Sequence, residues 1–93
     1  MVDDVTVLKA LAHPVRLGIV RALAAQTEIC ACDFTDVFGV SQPTISAHLR
    51  VLRESGLVQT RRDGTTICYS LVPRRIQELR DCLGALLGVP VAA

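Results

Sequence analysis

Ser41-Gln-Pro-Thr-Ile-Ser-Ala-His-Leu-Arg-Val-Leu-Arg-Glu-Ser-Gly-Leu57 is the stretch on which the fold turns. Ser41 is a good N-cap, and Pro43 fits a first helical turn. Ile45, Leu49 and Leu52 recur at i, i+4, i+7, the spacing of one helical face, which predicts a helix to about Ser55 that Gly56 closes. Beyond it the period drops to 2. Leu57–Arg61 and Thr66–Leu71 are β-rich runs around Arg62-Asp-Gly-Thr65, and Asp-Gly between two such runs signals a hairpin. Upstream, a short helix is expected from Cys32 to Phe38, with Val37 and Phe38 facing inward and Gly39 ending it. A short helix, a glycine-containing turn and a capped second helix make a helix-turn-helix, and the hairpin that follows makes its wing.

Further out, Val5, Leu8 and Leu11 suggest a first helix that His13-Pro14 interrupts. Pro14 then opens a second helix to about Ala25, where Val15, Leu17, Ile19, Val20 and Leu23 are apolar nearly all round, as in the middle of a core. A last helix runs from Pro73 to Gly88 with Ile76, Leu79, Leu83 and Leu86 on one side, and residues 89–93 read as a loose tail. The expected fold is mainly α with a small β-hairpin, in the order ααααββα. It makes one winged helix-turn-helix domain over residues 1–93, a length too short for two.

The composition agrees, being 51% apolar but only 3% aromatic, which favours a helical core of aliphatic side chains. No apolar run is long enough to cross a bilayer. The acidic start, Met1-Val-Asp-Asp4, lacks the features of a signal peptide, so a cytoplasmic protein is expected. The formal net charge of +1 conceals an asymmetry. Residues 1–46 carry three basic against five acidic side chains, and residues 47–93 carry seven against four. An uneven balance of this kind points to an anionic partner for the positive half. An enzyme is not expected, because the chain has no Ser-His-acid grouping, no phosphate-cradling glycine loop and only two histidines.

On the predicted helix Thr44, Ser46, Ala47, Arg50 and Glu54 fall opposite the apolar face. A recognition helix reads base edges in the major groove through its N-terminal residues. Gln42, Thr44 and Ser46 are the candidates for hydrogen bonds to bases, Ala47 for contact with a thymine methyl, and Ser41 belongs to the same surface chiefly as a cap. Arg50, with Arg61 and Arg62 on the wing, suits phosphates, which position without specifying. His48 lies at the edge of the apolar cluster and reads as a core histidine. One such helix reads too few base pairs for useful specificity, so a homodimer on a palindromic site is expected. Its seam would be Val5 and Leu8 of the first helix with Ile76, Leu79, Leu83 and Leu86 of the last.

Lys9-Ala-Leu-Ala-His-Pro-Val-Arg-Leu17, Glu28-Ile-Cys-Ala-Cys-Asp-Phe34, Ser41–Leu57 and Arg62-Asp-Gly-Thr-Thr-Ile-Cys-Tyr-Ser-Leu71 together resemble the ArsR/SmtB family of metal-responsive bacterial repressors. The resemblance implies a dimeric repressor that holds double-stranded DNA and is released by an inducer. It also implies an arsenite- or antimonite-type site at Cys30 and Cys32. The chain departs from the family at Thr35, where many such sites have a third cysteine. It departs again at Ala47, often His, and at Thr65, often basic.

The residues themselves add a constraint. Thiolates are soft ligands, and a helix start favours the thiolate form. Side chains at i and i+2 of an ordered helix diverge by about 200°, so chelation by both cysteines should unwind the start of their helix. A third ligand is open among Cys68, Cys82 and an external thiol. Cadmium or zinc sensing and a thiol redox switch stand as alternatives. All four cysteines are expected as reduced thiols rather than a structural disulfide framework.

Overall fold

A computed structural model of the chain describes residues 3–88, so the tail expected at residues 89–93 lies outside the described residues. The order is α1 (Asp4–Leu11), α2 (Pro14–Gln26), β1 (Ile29–Cys30), α3 (Ala31–Phe38), α4 (Gln42–Glu54), β2 (Val58–Asp63), β3 (Thr66–Leu71) and α5 (Pro73–Ala85). Five helices and the hairpin fall where the sequence puts them. One element is new. β1 pairs antiparallel with β3, Ile29 opposite Tyr69 and Cys30 opposite Cys68, so the sheet has three strands in the order β1-β3-β2. The expected ααααββα order becomes ααβααββα, because Thr27, at φ 64°, turns the chain out of α2 into an extended pair of residues.

The core forms where the amphipathic faces meet. Ile19 and Leu23 of α2, Phe34 of α3, Ile45, Leu49 and Leu52 of α4, and Leu57 after it are almost fully buried. Phe34 rather than Val37 anchors α3: its ring meets Tyr69 of β3 edge-on at 5.9 Å, while Val37 is 55% exposed. Phe38 packs half-buried against the same cluster, as expected. Helix α2 is less central than its composition suggests, since Leu17 is 37% exposed.

Local chemistry fixes the ends of α4. The Ser41 hydroxyl accepts the Thr44 amide proton at 3.4 Å, which satisfies one of the donors a helix start leaves free. At the other end Gly56 takes φ 84°, and a Cβ there would lie 2.9 Å from Nε of Arg75 on α5. The backbone conformation requires glycine, and a side chain there would also have to displace the Arg75 guanidinium. Arg16 of α2 ties the helices together. Its Nη2 donates to the Lys9 carbonyl near the end of α1 at 3.2 Å, and its Nη1 lies 3.3 Å from Nδ1 of His48 on α4.

Candidate functional site

Two surfaces carry the candidate functional residues: the outer face of α4 with the wing, and the junction where β1 meets α3 and β3.

On α4 the burial of Ile45, Leu49 and Leu52 turns Gln42, Thr44, Ser46, Ala47 and Arg50 to solvent. Ser41 is exposed too, but both its hydroxyl bonds are local: besides accepting from the Thr44 amide it donates to Thr44 Oγ1 at 2.9 Å. Its hydroxyl is therefore engaged as a cap. His48 is half-buried, with its ring centroid 4.4 Å from that of His13. Burial first, then the His13 ring and the Arg16 guanidinium, push its pKa below the ordinary histidine value. A neutral, packed imidazole results, matching the reading of His48 as a core residue.

The wing presents its two arginines differently. Arg62 is exposed, and no ion pair to it is found among the described residues. Arg61 is exposed as well, but its Nη2 and Nε donate to the two carboxylate oxygens of Glu28 at 2.8 and 3.0 Å. The fork-to-fork pair lowers the Glu28 pKa and raises that of Arg61. Arg61 thus already has an anionic partner in the absence of DNA. Nothing in the sequence pairs residues 33 apart, since only the β1-β3-β2 stacking brings Glu28 beside β2.

At the second surface the cysteines depart from expectation. Cys30 is not within a helix. It ends β1 and is the N-cap of α3, with extended backbone at φ −87° and ψ 153°. Its sulfur is bonded to that of Cys68 in a disulfide. The expectation of four reduced thiols is corrected here, and the cause is register: β1 and β3 set the two residues directly opposite each other. Cys30 and Cys32 are consequently not brought together. Cys32 lies in the first turn of α3, free and exposed, its thiol 3.8 Å from the carboxylate of Asp33. Among the described residues the group of potential ligand atoms within 4.8 Å of one another is instead Glu28, Cys30 and Cys68.

Only once the disulfide is reduced do Cys30 and Cys68, with Cys32 two residues on in the chain, offer soft donors for a thiophilic ion, whereas a lone carboxylate held by an arginine does not define a hard-ion site. The start of α3 is held through the backbone pairing and disulfide of its N-cap residue Cys30. No side chain caps it, in contrast to Ser41 on α4. Cys82 is remote in role. It is half-buried on α5, and a hydrogen bond with Asp4 of α1, reinforced by burial and by the charge of that carboxylate, raises its pKa and keeps it a thiol.

The expected dimer residues divide. Ile76 and Leu79 pack against the core, while Val5, Leu8, Leu83 and Leu86 are 57%, 40%, 47% and 80% exposed. Leu87, 79% exposed, extends the apolar strip and was not singled out in the sequence, because it lies past the last regular turn of α5.

Known proteins share this architecture and sequence. Residues 13–60 match the family described as bacterial regulatory protein, arsR family. An uncharacterized HTH-type transcriptional regulator of Methanocaldococcus jannaschii is 38% identical over 73 residues, 78% of this chain and 82% of that protein. The arsenical resistance operon repressor of Escherichia coli is 45% identical over 69 residues, 74% of this chain and 59% of that protein. Among solved structures, one described as a possible transcriptional regulator for arsenical resistance superposes with a TM-score of 0.78 at 34% identity, covering 92% of this chain and 85% of the other. With the winged helix-turn-helix in place and the match spanning its centre, this chain belongs to the arsR family of bacterial regulatory proteins, which are DNA-binding transcriptional regulators and not enzymes.

Proposed function

We propose that the chain is a cytoplasmic repressor, one domain over its 93 residues, that grips a palindromic operator as a homodimer. Trivalent arsenic or antimony captured at Cys30 and Cys32 releases it. Gln42, Thr44 and Ser46 read base edges, Ala47 touches a thymine methyl, Ser41 orders the start of the recognition helix, and Arg50, Arg61 and Arg62 hold phosphates. Val5 and Leu8 pair with Leu83 and Leu86 across the dimer axis, over Ile76 and Leu79. Two recognition helices then meet the groove about one turn of DNA apart, roughly 34–36 Å.

The observation that carries the sensing step is the placement of both sulfurs at the uncapped start of α3, the helix that supports α4. Cys30 stands outside the helix and Cys32 inside its first turn, so drawing the two onto one ion pulls that turn open. The Escherichia coli relative, a repressor of an arsenical resistance operon by name, favours arsenic. A second reading, release by thiol oxidation, is favoured by the Cys30–Cys68 disulfide.

The test is a fluorescence-anisotropy titration of operator DNA bound by the phosphine-reduced protein, freed of external thiols, with arsenite, antimonite, cadmium, zinc and peroxide, alongside Cys30→Ser and Cys32→Ser. Release by arsenite or antimonite that both substitutions abolish is the expected result. Release by peroxide alone transfers the function to the redox reading, and unimpaired arsenite release in both variants defeats the metalloid site.

A further inference from the structure

The register of the sheet selects one of the sulfurs that the sequence leaves open as a third ligand. Cys68 is 38 residues from Cys30, yet directly opposite it, and is 1% exposed. The other sources of a third donor fit poorly. Thr35, one turn beyond Cys32, offers only a hydroxyl, and it donates that to the Cys32 carbonyl at 3.3 Å. Cys82 is held protonated by Asp4 on α1. Glu28 lies within 4.8 Å of both sulfurs of the pair, but its two oxygens are taken by Arg61. A trivalent thiophilic ion is best satisfied by three soft donors.

We propose that Cys68 is the third sulfur of the inducer site, so that Cys30 and Cys68, once reduced, and Cys32, drawn in as the first turn of α3 opens, form one three-thiolate site joining α3 to the wing. This rests on the assignment of Cys30 and Cys32 as sensor ligands and deepens it. The three thiols displace the three hydroxyls of arsenous acid: three S–As bonds form, three As–O bonds break, and three waters leave with the thiol protons. The Cys30–Cys68 disulfide is the closed form of the same site. It accepts two electrons and two protons from a cellular dithiol before the thiols are available.

A site of this composition touches both proposed DNA-reading parts at once. Cys68 sits opposite Arg61 in the β2–β3 ladder, and Cys32 lies on α3, which contacts α4. The wing moves with the sensor in consequence.

Cys82→Ser decides the matter, because it leaves Cys30, Cys32 and Cys68 as the chain's cysteines and alters a half-exposed position. The full-length variant is reduced with a phosphine, freed of external thiols and loaded with sodium arsenite at one equivalent per chain. Arsenic K-edge X-ray absorption should count three sulfur neighbours. Two sulfurs and one oxygen overturn the proposal while leaving Cys30 and Cys32 as ligands. In parallel, Cys68→Ser should fall to two sulfurs and bind arsenite at least tenfold more weakly; unchanged affinity overturns the proposal. Should Cys30→Ser and Cys32→Ser each bind arsenite as tightly as the unaltered chain, the sensor assignment falls, and this inference with it.

Discussion

Arg61 and Arg62 are neighbours of the same type on one strand, yet their surroundings separate them. Arg62 carries an unshared positive charge toward solvent, while Arg61 is clamped by both oxygens of Glu28. A phosphate contact by Arg61 must compete with that carboxylate. Arg62→Ala should weaken binding to any DNA sequence and lower the slope of log affinity against log salt by about 1. Arg61→Ala should cost less in the unaltered chain and as much as Arg62→Ala once Glu28→Gln has freed it. Salt titrations of the four variants check this, and equal effects of both arginines in the unaltered chain would refute the clamp.

His48 gives a second residue-scale prediction. Its pKa is lowered by burial and by His13 and Arg16, so the unfolded chain binds the proton more readily than the folded one. The stabilisation is therefore complete above the ordinary histidine value and is lost as pH falls through that value toward the folded one. Melting temperature should drop between about pH 7 and pH 5, and His48→Gln should flatten that drop while leaving DNA affinity within about twofold, a tenfold change being 1.4 kcal/mol.

Helix α4 shows which elements announce themselves and which do not. Its cap, its proline and its apolar spacing are all local signals, and the helix occupies the residues they imply. Ser41→Ala removes the bond to the Thr44 amide and should cost about 1 kcal/mol of stability, read as a shift of the urea midpoint. Gly56→Ala should cost more, because a side chain there meets a positive φ and Arg75 together. β1 had no such signal. Two residues carry no periodicity, and Ile29 and Cys30 are a strand only because β3 passes beside them. The outer face of α4 was therefore legible in the sequence, while the disulfide and the Glu28 clamp were not. Both depend on a pairing across more than thirty residues, which spacing along the chain does not encode. Val37 was misassigned for a related reason. On an eight-residue helix several faces satisfy the period, and contact with Tyr69 of the sheet selects the one bearing Phe34.

At the scale of the whole molecule, the described chain is elongated, 44 × 25 × 24 Å, and Val5, Leu8, Leu83, Leu86 and Leu87 form an apolar strip that is exposed among the described residues. A chain of this size buries too little apolar surface to be comfortably stable alone, and covering those leucines at about 25 cal/mol per Å² adds to a small total. Folding and dimerisation should accordingly be coupled, with a melting temperature that rises with protein concentration. Leu83→Asp places a charge in the strip without touching Cys30, Cys32, Cys68, α4 or the wing. Analytical ultracentrifugation should then show monomers at concentrations where the unaltered chain is dimeric. Operator affinity should fall at least a hundredfold, because each monomer would read only half of the proposed palindrome, while the arsenite affinity of the reduced protein should stay within about threefold, since a tenfold change needs 1.4 kcal/mol and the proposed sensor lies within one protomer. A dimer that survives Leu83→Asp would place the interface elsewhere on the surface, and an arsenite affinity that collapses with the dimer would mean that the sulfurs are shared between two chains.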